Sequence, residues 1–189
     1  MKGITELKNG SVCSPRGFKA CGIKAGLKKS GKPDMALVYS ETDCVASGVF
    51  TSCKFPAAPV KYCRDILQNA NKFNTVIINS GNANACTGTA GYKNSVKMAE
   101  LTGKLLGVNK ENVFVCSTGR IGVPMPMDII ESGINIAVKS LSENGGKEAA
   151  NAIMTTDTFP KKIALEFKIG VKKVRIGGMA KGAGMIAPK

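Results

Sequence analysis

The 189-residue sequence predicts a single domain, residues 1–189, of mixed α and β structure. Three observations carry that expectation. β-rich runs alternate with segments of helical periodicity along the whole chain, and no linker or internal repeat divides it. A composition of 43% hydrophobic and 21% charged residues suits one sizeable core and excludes disordered and collagen-like classes.

The elements follow in order. ALVYS and CVASGVF, the second ending at Phe50, read as short strands about a polar turn at Glu41 to Asp43. Pro59 opens a helix carrying Val60, Cys63, Ile66 and Leu67, since proline in the first turn removes only an amide that has no helical partner there. TVIIN, Thr75 to Asn79, reads as a strand running into NSGNANACTGTAG, whose small residues let backbone approach backbone or ligand closely. A helix is expected from about Tyr92 to Leu106, with Gly107 as its stop. The strand NVFVC then ends in STGRIGVPMP, and a helix begins near Met127 with Ile129, Ile130 and Ile134 facing inward. A further helix is expected over Lys147 to Met154, followed by the polar TTDTFPKK and two strands, IALEFKI and VKKVRIG, joined at Gly170. In the second strand Val174 and Ile176 share one face and Lys173 and Arg175 the other, the pattern of a half-buried strand.

Charge narrows the function. The net charge is +14 with no histidine, which removes Ser-His-Asp and Cys-His catalysis and imidazole metal sites from this chain. Residues 1–32 and residues 160–189 each hold eight Lys/Arg and one acid, leaving the stretch between them balanced. Nucleic-acid binding would interleave such charge with stacking aromatics, but aromatics are 5% and Trp is 0, so no nucleic-acid partner is expected. The lopsided charge suits a partner-facing surface, as in half of an assembly whose other half is acidic. The seven cysteines contain no CxxC pair and read as reduced, mostly buried thiols; Cys86 and Cys116 border Gly-rich turns, where a reactive thiol is the alternative. With no apolar run of membrane-spanning length and no signal-peptide pattern at the start, the chain reads as cytoplasmic, with no membrane partner.

Four segments could carry chemistry. Ser117-Thr118-Gly119 presents a hydroxyl and an approachable backbone amide at a strand end, the two donor types of an oxyanion hole, although such sequences are also ordinary turns. Thr155 to Thr158, TTDT, offers three hydroxyls and a carboxylate, or a helix-ending turn satisfied by its own side chains. Lys181 sits in the Gly-rich GGMAKGAGMIAPK, where it could hold a substrate carboxylate or simply be solvated. NSGNANACTG could line a polar pocket with amide donors, or its asparagines could be turn formers. An apolar, Gly-rich stretch closing at Pro188-Lys189 reads as a cut rather than a natural finish.

GVFTSCKFPAAPV, NSGNANACTG, FVCSTGRIG, IMTTDTFPK and GGMAKGAGMIAP, in this order, resemble the α portion of the ornithine acetyltransferase family, the bifunctional glutamate N-acetyltransferases of arginine biosynthesis. The resemblance runs from about Gly48 to the last residue. It implies a layered α/β sandwich of the N-terminal-nucleophile type and a precursor that cleaves itself before a threonine just beyond this segment. The two products would stay together as α and β chains, in an α2β2 heterotetramer. The new N-terminal threonine would be the nucleophile and its α-amine the base, so no histidine is needed. Acetyl would pass from N-acetylornithine to that threonine and then to glutamate in ping-pong fashion. By motif match, Thr118 and Gly119 would form the oxyanion hole, and Thr155, Thr158 and Lys181 would contact substrate, the lysine at a carboxylate. No metal or cofactor is implied; acetyl-CoA enters only as an alternative acetyl donor. Arg120 stands where the family often has valine and is expected to point outward, and Cys53 stands where the family often has a polar residue. A self-processing aminopeptidase and a non-catalytic basic binding module are the competing readings.

Overall fold

A computed structural model describes residues 3–183 of the chain. Its strands are β1 (Ile4–Glu6), β2 (Phe18–Ile23), β3 (Met35–Cys44), β4 (Phe73–Asn82), β5 (Val113–Arg120), β6 (Lys161–Ile169) and β7 (Lys172–Ala180). Its helices are α1 (Ala58–Asn69), α2 (Gly88–Leu106), α3 (Met127–Lys139) and α4 (Gly146–Ala152). A four-stranded sheet runs in the order β2-β3-β4-β5, antiparallel except for the parallel pair β4 and β5, and a three-stranded antiparallel sheet runs β1-β6-β7. The parallel pair needs a crossover, which α2 supplies.

Alternation along β4 sorts the layers. Phe73, Thr75, Ile77 and Asn79 are buried on one face, while Val76 and Ile78 are half-buried on the other. On the first face Met35, Leu37, Ile77, Val113 and Val115 meet Tyr62 and Ile66 of α1, Met98 and Ala99 of α2, and Ile130 and Ile134 of α3. The opposite face is built of small residues: Ala20 and Ala36 meet Ala149 and Ala152 of α4, with Met179 of β7 packed beside them. The expected helix-sheet layering is therefore present, and the small residues let α4 and the second sheet come close to the first.

Several elements depart from expectation. CVASGVF forms no strand: β3 continues unbroken through Glu41–Asp43 to Cys44, and Val45 and Val49 beyond it are 94% and 100% exposed. β2 pairs with β3 only as far as Ser40, and the last β3–β4 partners are Cys44 and Phe73, so β-forming residues past Cys44 have no strand to join. Helix α2 begins at Gly88, ahead of Tyr92, because Asn84 Nδ2 donates to the Gly91 carbonyl at 2.8 Å and fixes a first turn that Gly and Thr would not favour alone. Within α3, Ile130 and Ile134 are fully buried but Ile129 only partly so. Helix α4 stops at Ala152, where side chains capture the carbonyls that would continue it.

The cysteine expectation is corrected too: only Cys21 and Cys63 are buried, while Cys53, Cys86 and Cys116 are exposed, and all are free thiols. Burial pushes the Cys21 thiol up to about 11 and Cys63 to about 12, which leaves both protonated and inert. β7 is not the half-buried strand expected: Val174 is half-buried but the face it shares with Ile176 is open. Ile176 is 55% exposed, and Ile4, Ile163 and Ile169 of the same sheet are 42%, 47% and 63% exposed. Among the described residues no helix is long and apolar enough to cross a membrane, and no three His, Cys, Asp or Glu side chains are grouped to hold a metal.

Candidate functional site

The site begins where β4 and β5 end. Their parallel register is regular up to Gly81 opposite Gly119, after which Asn82 faces both Thr118 and Arg120, an irregularity that bulges β5 outward at Gly119. Gly119 has φ +135°, and a Cβ there would lie 2.6 Å from the Asn82 nitrogen and closer still to the Gly81 backbone, so only glycine fits. The bulge leaves Thr118 half-buried and Gly119 and Arg120 exposed, the last as expected. Thr118 and Gly119 thus sit on a strand ladder rather than in a free turn.

Lys181 comes to the same point from the other sheet. It follows the last residue of β7, and its Nζ donates to Thr118 Oγ1 at 2.9 Å. An ammonium on the hydroxyl oxygen occupies a lone pair and leaves the hydroxyl hydrogen to be donated elsewhere. A hydroxyl donor, a glycine backbone and a cation are therefore gathered within one small patch, which is what a developing oxyanion and a substrate carboxylate require.

The TTDT loop is tied to this patch through a residue whose acceptor role the sequence reading did not single out. Asp157 has a side chain fully closed to solvent and accepts from three groups: Lys161 Nζ at 2.7 Å, the Gly182 N–H at 2.6 Å and the Thr155 N–H at 3.1 Å. Lys161 beside it, with the Gly182 and Thr155 amides, holds its carboxyl well below the usual carboxylate range. The loop is in part the self-satisfied turn that TTDT allows, since Asp157 bonds the amide two residues before it. Thr155 is half-buried next to this cluster, whereas Thr158 is exposed and, among the described residues, no hydrogen bond ties it to the patch. The available signal for Asp157 was a lone acid among three hydroxyls with a lysine four residues on.

Behind the loop, Lys28 Nζ donates to the carbonyls of Pro33 and Met154, each at 2.7 Å, and Ser80 Oγ donates to the Ala152 carbonyl at 2.5 Å. Burial pushes the Lys28 ammonium down from its ordinary value. These bonds moor the end of α4, and so the start of the Thr155 loop, to the end of β4 and to the connection between β2 and β3. The asparagines of NSGNANACTG are part of the same scaffold, whereas Cys86, Thr87 and Gly88 at the end of that segment line a cleft, as the sequence allowed. Asn79, Asn82 and Asn84 are buried; Asn79 accepts from Ser117 Oγ at 2.6 Å, Asn82 Nδ2 donates to the carbonyls of Val123 and Pro124 at 3.1 Å, and Asn84 braces α2. A cleft of about 510 Å³ lies between Phe55, Lys61, Cys86 and Tyr92, and two of about 640 Å³ lie around Cys13, Ser14, Glu143 and Arg175; none is lined by Thr118, Thr155, Thr158 or Lys181. The remainder of the glycine-rich motif, Gly184 to Lys189, lies outside the described residues, as does the expected cut.

A layered α/β chain of this sequence has counterparts of one family, by sequence and by structure. The chain belongs to the ArgJ family, whose model matches residues 19–189. It is 49% identical over 183 residues to the arginine biosynthesis bifunctional protein ArgJ of Synechocystis sp., covering 97% of this chain and 44% of that protein. With the ArgJ protein of Caldanaerobacter subterraneus the identity is 46%, again over 97% of this chain and 45% of the relative. The chain thus spans less than half the length of the curated relatives it matches. Among solved structures, it superposes with a TM-score of 0.92 on the arginine biosynthesis bifunctional protein argJ of Bacillus halodurans, at 35% identity, covering 98% of this chain and 97% of that one. The same score is found for an ornithine acetyltransferase of Mycobacterium tuberculosis solved with ornithine, at 43% identity and 98% coverage of both chains.

Proposed function

We propose that this chain is the α portion of an acetyltransferase of arginine biosynthesis that moves acetyl from N2-acetyl-L-ornithine to L-glutamate, with acetyl-CoA as an alternative donor. The observation that carries the reading is the Lys181–Thr118 contact at the Gly119 bulge. The names of the relatives and the bound ornithine of one of them supply the chemistry. The nucleophile is the N-terminal threonine of a partner chain cut from the same precursor. The solved relatives include chains coextensive with this one, while the curated relatives are more than twice as long, which supports two chains from one precursor.

In this mechanism the partner's threonine hydroxyl attacks the acetyl carbonyl of N-acetylornithine as its α-amine, with an ordinary pKa of ~7.7–8.0, takes the hydroxyl proton. The tetrahedral oxyanion receives hydrogen bonds from the Thr118 hydroxyl and the Gly119 amide. Collapse breaks the C–N bond, the ornithine amine leaves with the proton returned by the ammonium, and an acetyl ester remains on the threonine. The amine of glutamate attacks that ester through the same two donors, which regenerates the threonine and releases N-acetylglutamate. Lys181, with Thr155 and Thr158, holds the amino-acid substrate, and the excess of cations draws anionic glutamate inward. The assembly is an α2β2 heterotetramer in the cytoplasm.

Co-expression with the downstream segment tests the reading. Two chains by mass spectrometry, and transfer of labelled acetyl from N-acetylornithine to glutamate, are expected. An uncleaved, inert product overturns it.

A further inference from the structure

Past Ala180 the β6–β7 ladder ends, its last pair being Lys161 with Ala180. Lys181 is the next residue and is exposed, yet its ammonium is placed on Thr118 Oγ1. Among the described residues, the backbone tie that holds the chain beyond the ladder is the bond from the Gly182 N–H to Asp157 Oδ1 at 2.6 Å. The same oxygen accepts from Lys161, which opens β6, and the other oxygen accepts from the Thr155 amide. One closed carboxylate therefore ties together three backbone segments: the substrate loop, the start of β6 and the exit of β7.

We propose that Asp157 is a positioning residue, a clamp that fixes the Gly182 end of the peptide carrying Lys181, whose other end the β6–β7 ladder holds, so that its ammonium meets Thr118 and a substrate carboxylate. This rests on the acetyl-transfer reading above for the ligand that Lys181 meets, but the clamp itself does not depend on it. A lysine has a long, flexible stem, and tethering its backbone on the ladder side alone leaves the ammonium to sample water. Ionisation matters as well as shape. All three partners are donors, so the carboxylate can satisfy each, whereas an amide of the same size turns an N–H2 group toward at least one of them.

The test uses the full precursor, cleaved into its two chains, as wild type, Asp157→Asn, Lys181→Ala and the double variant. Amide exchange reads the clamp directly: in Asp157→Asn the peptide containing Gly182 should exchange about tenfold faster or more, with peptides of β4 and β5 unchanged. In acetyl transfer, normalised to cleaved protein, Asp157→Asn should raise KM for glutamate by about tenfold with kcat within about threefold. Lys181→Ala should do the same, and the double variant should be no worse than Lys181→Ala, because both act on one ammonium. Unchanged exchange at Gly182, or KM effects that multiply in the double variant, overturns the proposal. A wild type that transfers no acetyl defeats the functional reading instead, and the exchange measurement still decides the clamp. If Asp157→Asn does not fold, Asp157→Glu, which keeps the charge but displaces it by one methylene, must show the same loosening at Gly182.

Discussion

Replacing Thr118 by valine removes one hydroxyl and little else. Valine keeps the β-branched shape that suits a strand, and Thr118 is half-buried near the end of β5. Among the described residues its hydroxyl accepts from Lys181 alone, an exposed lysine whose ammonium water can re-solvate. Loss of that contact should cost the fold no more than about 0.5 kcal/mol, the usual scale of a surface substitution. The transition state fares differently. Removing one of two oxyanion donors costs about 2.7–4 kcal/mol, so kcat should fall by about 100- to 1,000-fold, with the thermal midpoint nearly unmoved. Thr118→Ala should give the same loss, and Thr118→Ser, which restores the hydroxyl, should recover most of the rate. The assay is acetyl transfer from N-acetylornithine to glutamate, expressed per mole of cleaved enzyme. A Thr118→Val rate within about threefold of wild type would refute the donor assignment.

Three further outcomes follow from the packing. Ile134 is fully enclosed between α3 and the large sheet, so Ile134→Ala should cost about 2–5 kcal/mol, read from the urea midpoint at constant slope. Asn84→Ala removes an amide that donates to the Gly91 carbonyl and Ser95 Oγ and accepts from Thr87 Oγ1; a loss of about 1–3 kcal/mol is expected, with faster exchange confined to the first turns of α2. The depressed pKa of Asp157 stabilises the fold above the unfolded value of about 3.9, and that contribution is lost as pH falls through the lower folded value. The thermal midpoints of wild type and Asp157→Asn should therefore converge as pH is lowered from about 5 toward 2, and a constant gap would contradict the role given to this carboxylate.

Helices with a stripe of large apolar side chains were legible from the sequence, because burying Tyr62, Cys63 and Ile66, or Ile130 and Ile134, requires nothing beyond their own spacing. The start of α2 was not, since its first turn is fixed by Asn84 from outside the helix. CVASGVF shows the limit of propensity for strands: its composition is β-forming, but a strand needs a partner, and pairing is a property of the sheet. The patch was legible as separate fragments, Thr118 with Gly119, Thr155 and Lys181. What joins them, a bond between residues 118 and 181 and a carboxylate shared by residues 155, 161 and 182, depends on two sheets meeting and leaves no local pattern. Gly119 looked interchangeable with any turn glycine, and only the approach of Gly81 and Asn82 shows why the position admits no side chain.

The Gly119 bulge has a consequence for energetics as well as shape. Donors on a loop must give up motion and turn toward a charge as it forms, and that reorganisation adds to the barrier. Thr118 and Gly119 lie in register with Asn82 and Gly81 on β4, and Ser117 just before them is bonded to the fully buried Asn79. Their orientation is settled when the sheet forms. In the proposed mechanism a negative charge arising beside them meets dipoles already held in place, so the reorganisation that water would need at that moment has been met during folding.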